Sequence, residues 1–180
     1  MASVCGPMAS DKADAAISFA LRRLGVNFQS SDLKTGQRKA IDAVIDKRDA
    51  MVILPTGHGK SIIYWTAPFL SDFNDHAKLC GCDTENHIEQ KNIAIVISPL
   101  IALMKDQVAA LKRDGVRAIY MGEMSGTEDQ KQLRDGTFSL VFCSPEGIFS
   151  AKGAAIMSSA VYRNHVCGIF VDEGHCIAKW

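Results

Sequence analysis

Four short apolar runs, IAIVIS, RAIYM, SLVFCS and CGIFVD, alternate with amphipathic stretches through the second half of the chain. A strand that is apolar on consecutive residues has to be covered on both faces, and helices between such strands supply that cover. The alternation therefore restricts the chain to an α/β fold: a mostly parallel sheet with helices on both faces. A fifth run, AMVIL at residues 50–54, reads as a buried strand ending in a Pro-Thr-Gly turn and feeding a helix over 61–70. Further helices are expected over 100–111, with Leu100, Leu103, Met104, Val108 and Leu111 inward, and over 128–133 and 151–159. Upstream, Ala13, Ile17, Ala20, Leu21 and Leu24 recur at helical spacing before a stop at Gly25, and Ala40, Ile41, Val44 and Ile45 mark one face of a second helix. The polar stretch 71–92 reads as a surface insertion or a loop with its own task.

Composition bounds the rest. A length of 180 residues holds one well-buried domain, and 47% hydrophobic with 22% charged residues excludes a disordered chain. Twenty basic and twenty acidic residues cancel, so any nucleic-acid surface is a local patch. Of the six cysteines, Cys5, Cys80, Cys82, Cys143, Cys167 and Cys176, most lie in apolar runs, which suits a reducing compartment. Residues 1–10 read as a loose tail without the pattern of a signal peptide. No apolar run approaches the roughly 20 residues that span a bilayer. The expectation is a soluble intracellular protein with no membrane partner.

The chemistry sits at strand ends. In LPTGHGKS, Gly57 and Gly59 would let backbone N–H groups close around phosphate oxygens, with the helix N-terminus adding positive potential. Lys60 would reach the β- and γ-phosphates and Ser61 would help hold Mg²⁺. Leu54 stands where the first glycine of the usual phosphate loop belongs. The second motif, VDEGH, ends a strand: Asp172 can enter the Mg²⁺ shell, and Glu173 can orient and deprotonate the attacking water. Both motifs would fall on the carboxyl edge of a parallel sheet, where ligands bind. Ser98-Pro99-Leu100 and Ser144-Pro145-Glu146 are turns at which Ser98 would face outward toward a nucleic-acid phosphate, with Lys105, Lys112 and Arg113 near the first. His76, Cys80, Cys82 and His87 have zinc-ligand chemistry without a usual structural spacing.

Together LKTGQRKAIDAV, LPTGHGKS, VISPLIALMKDQV, VFCSPE and VDEGHCIAKW resemble, in order and spacing, the motifs of RecQ-type DNA helicases of superfamily 2. The resemblance covers roughly residues 28–180. It implies a RecA-like P-loop domain over 28–180 behind an N-terminal tail and helix over 1–27, binding ATP with Mg²⁺ and tracking single-stranded or forked DNA 3′-to-5′. Superfamily 2 members commonly lack the glycine that Leu54 replaces. Carried over by resemblance, Gln37 would read the adenine edge beside Lys34. Thr56, Gly57, His58, Gly59, Lys60 and Ser61 would hold the triphosphate and metal. Asp172 and Glu173 would be metal-linked acid and general base, His175 would link the ATP and DNA sites, and Trp180 would open the aromatic-rich coupling loop. Ser98, Pro99, Leu100 and Ser144 would meet DNA. The adenine-stacking tyrosine of the family falls at Ser30, with Phe28 nearby. The resemblance also implies a second RecA-like domain as partner. A chain ending at Trp180 is expected to be a fragment that binds ATP better than it hydrolyses it, or alternatively a binding module without unwinding activity.

Overall fold

The computed structural model describes residues 10–27, 29–80, 88–123 and 126–179. They fall into two compact units, Met1–Glu89 and Gln90–Trp180.

The first unit is built from helices. α1 (Ser10–Arg23) buries Ala13, Ala16, Ile17, Ala20 and Leu21 in one stripe. It stops where glycine permits: Gly25 takes φ +67°, its N–H bonds the Arg22 carbonyl, and the Val26 N–H reaches Leu21 O at 3.2 Å. This is a Schellman closure, which satisfies carbonyls the helix leaves open. α2 (Thr35–Ile45) buries Gln37, Ala40, Ile41 and Ala43. Val44 and Ile45, expected on that face, are only half-buried, because the face is centred on the small residues Ala40 and Ala43. Arg38 binds both Asp14 of α1 and Asp42, joining the two helices.

α3 spans Ser61–Cys80, so the expected helix continues through 71–80, the first half of the polar stretch. Phe69, Leu70, Phe73 and Ala77 carry a buried stripe through the polar letters, and helical periodicity rather than polarity decides the structure. The Phe73 ring meets Phe19 of α1 with centroids 5.6 Å apart.

Residues 50–54 correct the sequence reading: they form no strand, and Met51 and Ile53 are 91% and 86% exposed. Among its described residues the first unit contains no strand, so this run has no ladder within its unit. An apolar run can supply a buried strand, but a parallel strand exists only as a member of a hydrogen-bonded ladder.

The second unit is an α/β layer around a four-stranded, all-parallel sheet in the order β2-β3-β1-β4. The strands are β1 (Ile93–Ile97), β2 (Ala118–Tyr120), β3 (Leu140–Cys143) and β4 (Val166–Val171). Ile95 pairs with Val141 on one side and Ile169 on the other. The ladder runs one residue past the strands, where Ser98 N–H meets Cys143 O at 3.1 Å and Asp172 N–H meets Ile97 O at 2.8 Å. These bonds fix the carboxyl edge.

α4 (Ile101–Arg113) connects β1 to β2, and α5 (Thr127–Arg134) connects β2 to β3. The buried face of α4 is Met104, Gln107, Val108 and Leu111. Leu100 and Leu103, expected inward, are 50% and 37% exposed. Leu100 caps the helix from outside, and Leu103 falls off the stripe that the period dictates. The helix expected over 151–159 is α7 (Ala151–Met157), and two short helices that the sequence reading did not give flank it, α6 (Pro145–Phe149) and α8 (Ala160–His165). Each begins on a serine whose hydroxyl accepts a backbone N–H: Ser144 from Gly147, Ser150 from Gly153 and Ser159 from Tyr162. Such caps define helices too short to display a period.

One face of the sheet packs Ile93, Ile95, Ile97, Ile119, Val141 and Cys143 against Leu133, Phe138, Ile156 and Tyr162. Burial pushes the Cys143 thiol up to about 12. The Tyr162 hydroxyl donates to Leu133 O at 2.8 Å. β4 is the outermost strand of its order and is not fully buried: Ile169 is 59% and Val171 43% exposed.

Candidate functional site

In the first unit the phosphate-loop motif forms a turn directly before α3. Gly57 (φ +76°) and Gly59 (φ +67°) both occupy the left-handed region that side chains avoid. Among the described residues, no atom beyond Gly57's own chain neighbours lies within 4 Å of where a Cβ on Gly57 would project. His58 N–H closes the turn onto Pro55 O at 3.2 Å. The N–H groups of Gly57, Gly59, Lys60 and Ser61 have no partner among the described residues. Those of Lys60 and Ser61 are among the orphan donors that begin every helix, and the two glycines just ahead of α3 add theirs.

Two residues outside the loop shape it. Gln37 is 7% exposed. Its Nε2 donates to His58 O at 3.0 Å and Gly59 O at 3.1 Å, and its Oε1 accepts from Lys34 N–H at 2.8 Å. Gln37 thus ties the start of α2 to the loop, a contact that the sequence reading, which assigned it to the adenine edge, missed. Gly36 lies against Leu54: a Cβ there would fall 2.6 Å from Leu54 Cδ2. The leucine that replaces the usual glycine therefore packs on a glycine in α2. The Lys60 ammonium donates to Leu54 O at 3.2 Å, folded back over the loop.

In the second unit the acidic motif turns immediately after β4. Asp172 Oδ1 accepts from Glu173 N–H at 3.0 Å. Glu173 takes φ +53°, a left-handed conformation that costs a non-glycine residue free energy. Its carboxylate meets His175 Nδ1 at 3.2 Å, and its carbonyl accepts from Cys176 N–H at 2.8 Å. The strained position is held by bonds on both sides, and Asp172, Glu173 and His175 fall within one tight turn. His175 is well exposed, with 74% of its side chain accessible.

The first serine-proline turn is rearranged from expectation. Ser98 is 2% exposed, and its hydroxyl accepts from Leu100 N–H at 3.3 Å. It faces inward because a serine two residues before a free N–H satisfies that donor itself. The exposed residue of the turn is Leu100. Ser144 spends its acceptor on Gly147 N–H at 3.1 Å. Lys105, Lys112 and Arg113 are exposed. Trp180, Phe28, Cys82 and His87 lie outside the described residues, as does the Cys80 side chain.

The donor set of the first unit fits a nucleotide phosphate with a hard cation. Orphan N–H groups and one ammonium are anion donors, and Ser61 offers a hydroxyl oxygen of the kind Mg²⁺ accepts. Among the described residues no helix is long and apolar enough to cross a membrane.

The chain matches the family described as DEAD/DEAH box helicase over residues 34–180. It is 31% identical over 157 residues to the ATP-dependent DNA helicase RecQ of Haemophilus influenzae, covering 85% of this chain and 22% of that protein. It is 30% identical over 165 residues to the ATP-dependent helicase SGS1 of Saccharomyces cerevisiae, covering 89% of this chain and 10% of that protein. It is 29% identical over 154 residues to the mouse bifunctional 3'-5' exonuclease/ATP-dependent helicase WRN, covering 85% of this chain and 10% of that protein. The chain thus spans less than a quarter of the length of these relatives.

Proposed function

Since this chain belongs to the DEAD/DEAH box helicase family and is RecQ-like across most of its length, we propose that it is the ATP-binding motor domain of a 3′-to-5′ DNA helicase. The supporting observation is that the N–H groups of Gly57, Gly59, Lys60 and Ser61, beside the Lys60 ammonium at the head of α3, have no partner among the described residues. In this reading residues 28–180 form the ATP-binding domain and residues 1–27 precede it. Thr56 through Ser61 hold the triphosphate, and Ser61 and Asp172 take Mg²⁺. Mg²⁺, when bound, neutralises charge developing on the phosphates. Glu173 orients and deprotonates the attacking water, and His175, on the same turn and paired with Glu173, relays the state of the acidic motif. Gln37 and Lys34 serve the adenine, with Gln37 also reporting loop position through His58 O and Gly59 O.

Single-stranded or forked DNA is the substrate. Pro99, Leu100, Ser144 and Trp180 form the contact set, with Ser98 acting from inside by holding its turn. The resemblance assigns the arginine that stabilises transition-state charge to a second RecA-like domain, and such arginines contribute on the order of 10³–10⁵ in rate. The 180-residue chain alone accordingly binds ATP better than it hydrolyses it. A soluble intracellular protein, nuclear if its source is eukaryotic, acting in DNA repair and recombination, follows from the same reading. Fluorescence anisotropy of a labelled oligothymidine tests it. The chain is expected to bind the strand, weaken as salt rises, and change its affinity when a non-hydrolysable ATP analogue is added. A chain that ignores both strand and nucleotide would overturn the proposal.

A further inference from the structure

Tyr64 is 5% exposed, and a phenol removed from water needs a hydrogen-bond partner. It lies three residues after Ser61 in α3. Residues so spaced share a helix face, and helical side chains lean back toward the N-terminus. The ring of Tyr64 thus returns to the head of the helix, where its hydroxyl donates to Ser61 Oγ at 3.0 Å.

A serine hydroxyl has two lone pairs and one proton. Accepting from Tyr64 commits one lone pair and restricts the side chain to a rotamer that preserves the bond. The second lone pair and the proton stay uncommitted. A hard divalent cation needs one oxygen lone pair, delivered from a fixed position. Left alone, the Ser61 hydroxyl would sample its staggered wells and present its oxygen only part of the time.

We propose that Tyr64 is a positioning residue for the divalent cation that accompanies the nucleotide, acting through the Ser61 hydroxyl. The inference rests on the nucleotide-binding reading of the loop. It adds a partner to the cation site that the motif itself does not contain. Groups that orient a metal-ligating side chain typically contribute 10–100-fold in metal affinity, and a single neutral hydroxyl pair belongs at the lower end, about tenfold.

The test measures the dissociation constant of a fluorescent ADP analogue, once with excess Mg²⁺ and once with EDTA, for the unaltered chain, Tyr64→Phe and Ser61→Ala. Tyr64→Phe keeps the ring and its volume, so the core is retained. The expected result is a Mg²⁺ enhancement about tenfold smaller in Tyr64→Phe, with affinity in EDTA unchanged, and a loss at least as large in Ser61→Ala. Electron paramagnetic resonance with Mn²⁺ and ADP should show the same weakening of the cation itself. An unchanged enhancement in Tyr64→Phe would overturn the inference alone. So would an equal loss with and without Mg²⁺, since that is what a merely structural tyrosine produces. An unaltered chain that binds the nucleotide with no Mg²⁺ dependence, or not at all, would overturn the loop reading and this inference with it.

Discussion

Replacing Gly59 with alanine should reveal how the loop is held. Gly59 has φ +67°, and an L-residue in that region costs roughly 1–2 kcal/mol. The added Cβ would lie 2.7 Å from Gln37 Nε2, so the amide has to swing away. The Gln37 side chain is flexible and steric relief is easy, but the amide then gives up its bonds to His58 O and Gly59 O. Each such bond is worth about 0.5–1.5 kcal/mol. The total loss for Gly59→Ala is therefore about 2–5 kcal/mol. In a Gln37→Ala background the same substitution meets no amide, and only the backbone cost of about 1–2 kcal/mol remains. Urea unfolding of the four proteins of this double-mutant cycle gives the coupling directly, expected at about 1–3 kcal/mol. Additive losses would refute the reasoning, because they would mean that Gln37 does not hold the loop.

Three further outcomes are expected. Ser150→Ala removes the hydroxyl that accepts from Gly153 N–H at 3.1 Å and donates to Gly147 O at 2.7 Å, and should cost about 1–2 kcal/mol in urea stability, whereas Ser150→Asp, which keeps the acceptor and loses the donor, should recover only part of it. The Cys143 thiol, ordinarily near 9.0, is pushed to about 12 by burial, so the native chain keeps a proton that the unfolded chain releases. That contribution is complete below about pH 9 and is lost as pH rises toward 12, at up to roughly 1.4 kcal/mol per pH unit, and Cys143→Ala should flatten this part of the alkaline unfolding curve. Glu173→Gln should remove the residual ATP turnover of the chain while leaving nucleotide affinity within about threefold, since the altered group acts only on the attacking water; a parallel loss of affinity, read by nucleotide titration, would contradict that role.

Much of the second unit was readable in its letters, and the reason is local. IAIVI and LVFC are buried at every residue because their neighbours in the sheet also follow from apolar runs. Gly25 announced the end of α1 because only a left-handed residue closes a helix that way. What escaped the sequence depended on partners far away in it. AMVIL carries the apolarity of a strand, yet its state is decided by whether a ladder receives it. The α3 extension was hidden behind polar letters, although Phe73 and Ala77 kept the period. Ser98 was assigned outward from its position in a turn, and its own hydroxyl turned it in by capping Leu100 N–H. At the candidate site, the glycines, Lys60, Ser61 and the acidic pair were visible as motifs. The bonds from Gln37 to the loop and from Tyr64 to Ser61 were not, because a motif names the residues that meet a ligand and is silent about those that hold them in place.

Equilibrium titration of the 180-residue chain with Mg²⁺-ATP, beside Lys60→Ala, tests the central claim most directly. The account predicts saturable, one-site binding that Lys60→Ala weakens at least tenfold, with urea stability little changed because, among the described residues, the Lys60 ammonium bonds only Leu54 O across the loop. Equal affinity in the two proteins, or no binding in either, would mean that the loop before α3 is a structural turn and that this chain is not a nucleotide-driven motor domain.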